Sequence, residues 1–174
     1  MKYYTLTIAI LFTTLCFGQK LEKVMISDSD PYNFYVNDGD STEVFYYKMV
    51  PKSKPVGVLT IFPSGGEKIE DLLKQINLHQ VAYNNNFLVI IPSYNWGTFQ
   101  KTPDIEFIDR IFKQLVLEHK VSKDNFVLCG LSNGGMISLT YGITAVRDSS
   151  TYITPNGIIG IDPPLDYARF YKYC

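Results

Sequence analysis

Cysteine and histidine are both scarce in this chain, and each shortage excludes a class of protein. Three cysteines in 174 residues cannot build a disulfide scaffold, whatever the compartment. Histidine occurs only as His79 and His119. No Cys/His/carboxylate cluster has metal-ligand spacing, and no Gly-rich loop carries the Lys and Ser/Thr of a phosphate cradle. The sequence therefore offers neither a metal-ligand set nor a phosphate cradle. Charge of one sign is missing too. Sixteen Lys and Arg against 17 Asp and Glu leave a net charge of −1, so no field draws the chain toward nucleic acid or an anionic membrane. Internal repeats and low-complexity segments are absent, and no apolar run is long enough for a comfortable membrane span.

The longest apolar stretch lies at the beginning. Lys2 precedes Thr5 to Phe17, which are almost all apolar or hydroxyl residues, and Gly18 supplies a small residue before Gln19. This pattern predicts a signal peptide over 1–18 and an exported protein, periplasmic or secreted, with 19–174 as its domain. The competing reading of the same residues is an uncleaved N-terminal anchor. About 155 residues remain, enough for one domain with a real core. Of the cysteines left, Cys129 falls in an apolar run where a thiol acts as a small hydrophobe, and Cys174 is the last residue.

Apolar runs and helical periodicity then alternate. Asn33-Phe34-Tyr35-Val36 and Glu43 to Tyr47 flank Asn37-Asp38-Gly39-Asp40, which predicts an opening antiparallel hairpin. Val56 to Phe62 and Phe87 to Ile91 are continuous apolar runs, the mark of strands buried on both faces. Between them Ile69, Leu72, Leu73 and Ile76 recur at helical spacing, with Glu67, Glu70 and Asp71 early in the helix, which is expected to run to Asn84-Asn85-Asn86. Thr102-Pro103-Asp104 has the form of a helix start, and Ile105, Ile108, Ile111, Phe112 and Leu115 form an apolar face behind it. Gly157 to Ile161 reads as a last buried strand, followed by Asp162-Pro163-Pro164. Strands alternating with helices predict an α/β fold with a mostly parallel sheet and flanking helices.

Phe126 to Met136 carries the chemistry. Phe126-Val127-Leu128-Cys129 runs into Gly130-Leu131-Ser132-Asn133-Gly134, and a helix-permissive segment follows to about Ala145. Strand, sharp turn, helix is the setting in which Gly-x-Ser-x-Gly forms a nucleophile elbow. A serine on such a turn needs a positive φ, and glycines at 130 and 134 let the strand and helix backbones approach closely. Ser132 is the candidate nucleophile. Its oxyanion would be met by the backbone N–H of Asn133 and by a second amide from the loop Ser64-Gly65-Gly66, any one of which could supply it. The same loop also reads as an ordinary Gly-Gly turn into a helix.

Asp162 leaves the C-terminal end of a strand, the edge where an open α/β sheet puts its site. There it either orients a histidine or caps the following turn; Asp166 is a weaker candidate. Tyr94 and Trp96 follow another strand at that edge, where they line a substrate pocket or pack on the surface. Both histidines precede Ser132 and read as structural: His79 flanks a packed helix face, and His119 sits in a last helical turn, where the dipole favours a partly charged ring. No histidine follows Ser132.

On these residues the chain resembles an α/β-hydrolase, and within that fold it is similar to the secreted polyhydroxybutyrate-depolymerase and feruloyl-esterase group. Gly130 to Met136 matches that group's elbow. Asp104-Ile105-Glu106-Phe107-Ile108 resembles its Asp-Val-x-Phe-Ile segment, and Ala82 to Pro92 followed by Trp96 resembles a further stretch, with Asn86-Phe87 and Ser93 as departures. The resemblance covers about Val56 to Asp162. It implies a serine hydrolase that cleaves small-molecule or polymer carboxylic esters through an acyl-enzyme on Ser132, with no cofactor.

Pro63-Ser64-Gly65-Gly66 stands where the family often has His-Gly-Gly. The family's chain order is nucleophile, acid, histidine, and Gly160-Ile161-Asp162-Pro163 resembles the setting in which some lipases carry the acid. On this resemblance the sequence reads as the N-terminal two-thirds of an esterase, lacking the histidine and a poor catalyst by itself. Two other readings stay open. A prolyl-oligopeptidase-like peptidase shares the Gly-x-Ser-x-Gly-Gly form, and a non-catalytic exported binding domain could keep the elbow as architecture.

Overall fold

A computed structural model describes residues 21–25, 45–65, 68–92 and 102–163, with backbone alone at 102–104. Three apolar runs make its centre: β3 (Gly57–Phe62), β4 (Phe87–Pro92) and β5 (Phe126–Leu131). They are parallel, with β3 between the other two. All six residues of β3 are buried, and period-two alternation divides them between two layers. Val58 and Phe62 join Leu88, Ile90 and Leu128 on one face, and Leu59 and Ile61 join Val89, Ile91 and Cys129 on the other. Each fully buried Leu, Ile or Phe contributes roughly 1.5–3 kcal/mol, so continuous apolar runs are what a sheet covered on both faces requires.

The first face is covered by α3 (Thr102–His119) through Phe107, Ile108, Ile111, Phe112 and Leu115, and by α4 (Asn133–Asp148) through Ile137 and Tyr141. The second is covered by α1 (Ile69–Gln75) and α2 (Leu78–Asn84), with Ile69, Leu72 and Ala82 turned inward. The sheet is completed by β1 (Glu22–Met25), β2 (Phe45–Met49) and β6 (Gly157–Ile161), in the order β1-β2-β4-β3-β5-β6. β1 and β2 run antiparallel and β6 joins β5 in parallel. The α/β class and the mostly parallel sheet are as the sequence implies.

Details differ. An antiparallel pair opens the sheet, but its first arm is Glu22–Met25; Asn33 to Val36 and the Asn37-to-Asp40 turn lie outside the described residues, as do residues 1–18. The single helix expected from Ile69 to the asparagines is two helices. Ile76 takes extended backbone (φ −123°, ψ 114°), and the chain restarts at Leu78. This break lets Ile76 and Leu78, one position apart from Asn77 on either side, both pack on the same apolar cluster. The last strand is not buried. In β6 Ile159 is 41% exposed and Gly160 is exposed, because among the described strands β6 has a neighbour on one side only.

Candidate active site

α1 leaves β3 toward one face of the sheet and α4 leaves β5 toward the other, so the carboxyl ends of these neighbouring strands diverge. Such a point leaves a crevice in which open α/β sheets bind ligands. Ser132 stands there, between the last residue of β5 and the first of α4. Its backbone is φ 50°, ψ −115°, a left-handed φ that a side chain disfavours by about 1–3 kcal/mol and that surrounding contacts must impose. Two hydrogen bonds fix the turn. The Ser132 N–H donates to the Ile161 carbonyl at 2.8 Å, and the Met136 N–H donates to the Ser132 carbonyl at 3.2 Å.

Close backbone packing makes the turn sharp. A Cβ on Gly130 would lie 2.0 Å from the Gly134 carbonyl carbon and oxygen, and one on Gly134 would lie 2.1 Å from the Phe62 carbonyl oxygen. These positions accept glycine alone without movement. The elbow is thereby wedged between its own strand and the end of β3. No acidic residue occupies the first turn of α4, so no carboxylate of that turn offsets the positive end of the 16-residue helix dipole beside Ser132. Ser138 is fully buried and donates from Oγ to the Gly134 carbonyl at 3.0 Å, which satisfies one hydroxyl inside the helix.

The structure brings several of the sequence-derived candidates together. The half-buried Ser64 and the exposed Gly65 follow β3, and the site of a Gly65 Cβ lies 2.3 Å from Asn133 Nδ2. The loop after β3 and the residue after the serine therefore touch. Asp162 also arrives at this edge. Leu131 pairs with Ile161, so the next residues, Ser132 and Asp162, leave neighbouring strands at the same level. Asp162 has φ 46°, and Pro163 folds back beneath the elbow, its Cβ 3.2 Å from where a Gly135 Cβ would stand. The sequence carried one overlooked signal for that contact, the second glycine of the Gly134-Gly135 pair. Gly66, Tyr94, Trp96, Asp166 and Cys174 lie outside the described residues.

Neither histidine is near. The His79 ring nitrogen Nδ1 lies 3.0 Å from the Ile76 carbonyl at the α1–α2 break. His119 ends α3 just before β5 begins, at the opposite sheet edge from Ser132, and a six-residue strand separates the two by about 17 Å. The dipole argument for a charged His119 is corrected: burial first, then the Lys48 ammonium, pushes its pKa below the usual histidine range, against weaker pulls from Glu118 and Glu22. Its Nε2 is 3.7 Å from Glu118 Oε2 and has no hydrogen-bond partner. A groove of about 580 Å³ between α3 and the β1–β2 pair, lined by Val24, Tyr46, Phe107, Arg110 and Glu118 among others, includes none of the elbow residues. Among the described residues no group of His, Cys, Asp and Glu could hold a metal ion, and no helix is long and apolar enough to cross a membrane.

No protein-family model and no curated protein matches this chain. Solved structures do. FphF, a fluorophosphonate-binding serine hydrolase of Staphylococcus aureus, superposes with TM-score 0.62 at 11% identity, over 86% of this chain and 60% of its own. A fungal esterase of Rhizomucor miehei gives TM-score 0.55 at 17% identity over 88% and 49%. A bacterial heroin esterase gives 0.56 at 19% over 84% and 45%. The fold is that of the α/β-hydrolases. The chain spans between about half and three-fifths of the length of these structures.

Proposed function

We propose that this chain belongs to an exported serine hydrolase that cleaves carboxylic esters through an acyl-enzyme on Ser132. The observation that carries the reading is Ser132 itself, a non-glycine residue held at φ 50° on a strand-to-helix turn, with a loop amide segment and the N-terminus of α4 beside it. Strain of this kind is retained where surrounding structure imposes it, and it aims the hydroxyl out of the sheet. The solved structures that share the fold bear the names of serine hydrolases and esterases, and the elbow resembles that of the polyhydroxybutyrate-depolymerase and feruloyl-esterase group.

In the proposed reaction Ser132 Oγ attacks the ester carbonyl carbon while its proton passes to a base. The resulting oxyanion accepts hydrogen bonds from the Asn133 N–H and from one amide of Ser64-Gly65-Gly66. Collapse of this intermediate breaks the C–O bond to the alcohol, which leaves with the proton, and water then releases the acid from Ser132. Asp162 is assigned as the carboxylate that orients the base. The base is proposed to be a histidine supplied by chain outside these 174 residues, since His79 and His119 are committed elsewhere. Tyr94 and Trp96 are assigned to the acyl pocket, and the substrate is a small-molecule or polymer ester.

The test is covalent trapping. The chain is incubated with an activated p-nitrophenyl ester and its intact mass followed. An acyl adduct that maps to Ser132 and is absent from Ser132→Ala is the expected outcome. Turnover and adduct unchanged in Ser132→Ala would remove the reading.

A further inference from the structure

The elbow is seated on the end of β3 by two contacts of different kinds. One is backbone on backbone, at Gly134, where an added Cβ would lie 2.1 Å from the Phe62 carbonyl oxygen and 2.6 Å from that of Pro63. This contact cannot adjust unless a whole strand or helix moves. The other involves a side chain. An added Cβ on Gly65 would lie 2.3 Å from Asn133 Nδ2, 3.3 Å from Asn133 Cγ and 3.6 Å from Asn133 Cβ. The carboxamide of the residue directly after Ser132 thus occupies the space that any side chain at 65 would need. Gly65 itself is exposed. A carboxamide that turns on two χ angles is then the adjustable part of the seat.

We propose that the Asn133 side chain is a positioning residue: it clamps the Ser64-Gly65 loop against the elbow and thereby sets the aim of the loop amide that completes the oxyanion site. The role is separate from the backbone N–H of the same residue. It rests on the ester-hydrolase reading for what the loop amide does, while the clamp itself does not. Catalytic geometry is sensitive to displacements of about 1 Å, so a shift of the loop by that much leaves the second donor out of line. Gly65 is required for the same reason, since a methyl there evicts Nδ2 from its place.

A double-mutant cycle in the full chain tests this, with p-nitrophenyl acetate as probe and Gly65→Ala, Asn133→Ala and the pair as variants. Each single change is expected to lower kcat by about 10-fold, less than the loss of a whole oxyanion donor, with KM little changed. The pair should be no worse than the worse single, because both remove one shared contact. Effects that multiply in the pair, or a kcat in Asn133→Ala equal to that of the unmodified chain, overturn the clamp. Amide NMR spectra decide independently of turnover. Asn133→Ala should shift the Gly65 amide resonance, and Gly65→Ala should shift the Asn133 Nδ2 pair; stationary resonances overturn the clamp. Hydrolysis that is equal in Ser132→Ala overturns the ester-hydrolase reading instead, and the spectra still decide the clamp.

Discussion

Replacing Gly130 by alanine should damage this protein far more than the same change at Gly157, although both are strand glycines. At Gly130 the new methyl would meet the Gly134 carbonyl carbon and oxygen at 2.0 Å and the Gly135 nitrogen at 2.4 Å, where ordinary contact begins at 3.4 Å. The shortfall is roughly 1.4 Å against main-chain atoms that have no rotamer to change. α4 cannot simply recede in other directions, since Gly134 is itself pressed on the Phe62 and Pro63 carbonyls. Overpacking of this sort costs about 1–3 kcal/mol, and the absence of a yielding side chain puts Gly130→Ala at the upper end. For a chain of this length each kcal/mol lowers Tm by about 2–4 °C, so a fall of about 6–12 °C is expected by calorimetry or circular dichroism. At Gly157 the nearest atoms to an added Cβ are the Val127 methyls at 3.9 Å, and the change should stay within about 0.5 kcal/mol. Equal melting temperatures for the two variants would refute the reasoning that the elbow is wedged.

Three other outcomes follow from titrating groups that burial shifts. Tyr141 donates a hydrogen bond to Asp109, but burial is the larger influence and raises the Asp109 pKa. The folded state then prefers the protonated acid, so Asp109 costs stability as pH rises through and above the carboxylate range. Asp109→Asn should gain on the parent chain between acidic and neutral pH in urea titrations. His119 has the opposite sense: the unfolded ring takes its proton near 6.5 and the folded ring resists it, so stability should fall as pH drops below 6.5, and His119→Gln should flatten that slope. The Cys129 thiol is fully buried and pushed up to about 11. Peptide mapping after iodoacetamide should find it unmodified in the folded chain and alkylated in urea.

How much of this was legible in the sequence depended on how local each cause is. β3, β4 and β5 announce themselves because a strand covered on both faces must be apolar at every position. The elbow is legible because its motif is local and one of its close contacts, Gly130 with Gly134, lies within five residues. β1 was missed because Glu22–Met25 is a short edge strand with three exposed residues, which leaves no apolar run to read. The break at Ile76 and Asn77 was missed because Ile69, Leu72, Leu73 and Ile76 keep helical spacing up to it; only packing on the sheet reveals that Leu78 must start again. β6 looked buried because Ile158, Ile159 and Ile161 are apolar, whereas burial depends on which strands flank it. The meeting of Gly65 with Asn133 joins distant stretches of chain and has no local trace at all.

The placement of β3 between β4 and β5 also sets an order of events during folding. Its pairing with β4 closes a loop of modest length through α1 and α2. Its other edge pairs with chain much farther along: the Asn125 side chain donates from Nδ2 to the Val56 carbonyl at 3.0 Å across 69 positions, immediately ahead of β5 in sequence. Loop-closure entropy disfavours such distant parallel pairing relative to the nearer pairing with β4, by about 0.6 kcal/mol for each doubling of loop length. Until it happens the apolar edge of β3 stands open to any other extended chain, including a second nascent copy. The elbow needs both β3 and β5, so it can form only after that distant pairing, and the same topology that creates the crevice is expected to leave the β3 edge open until then.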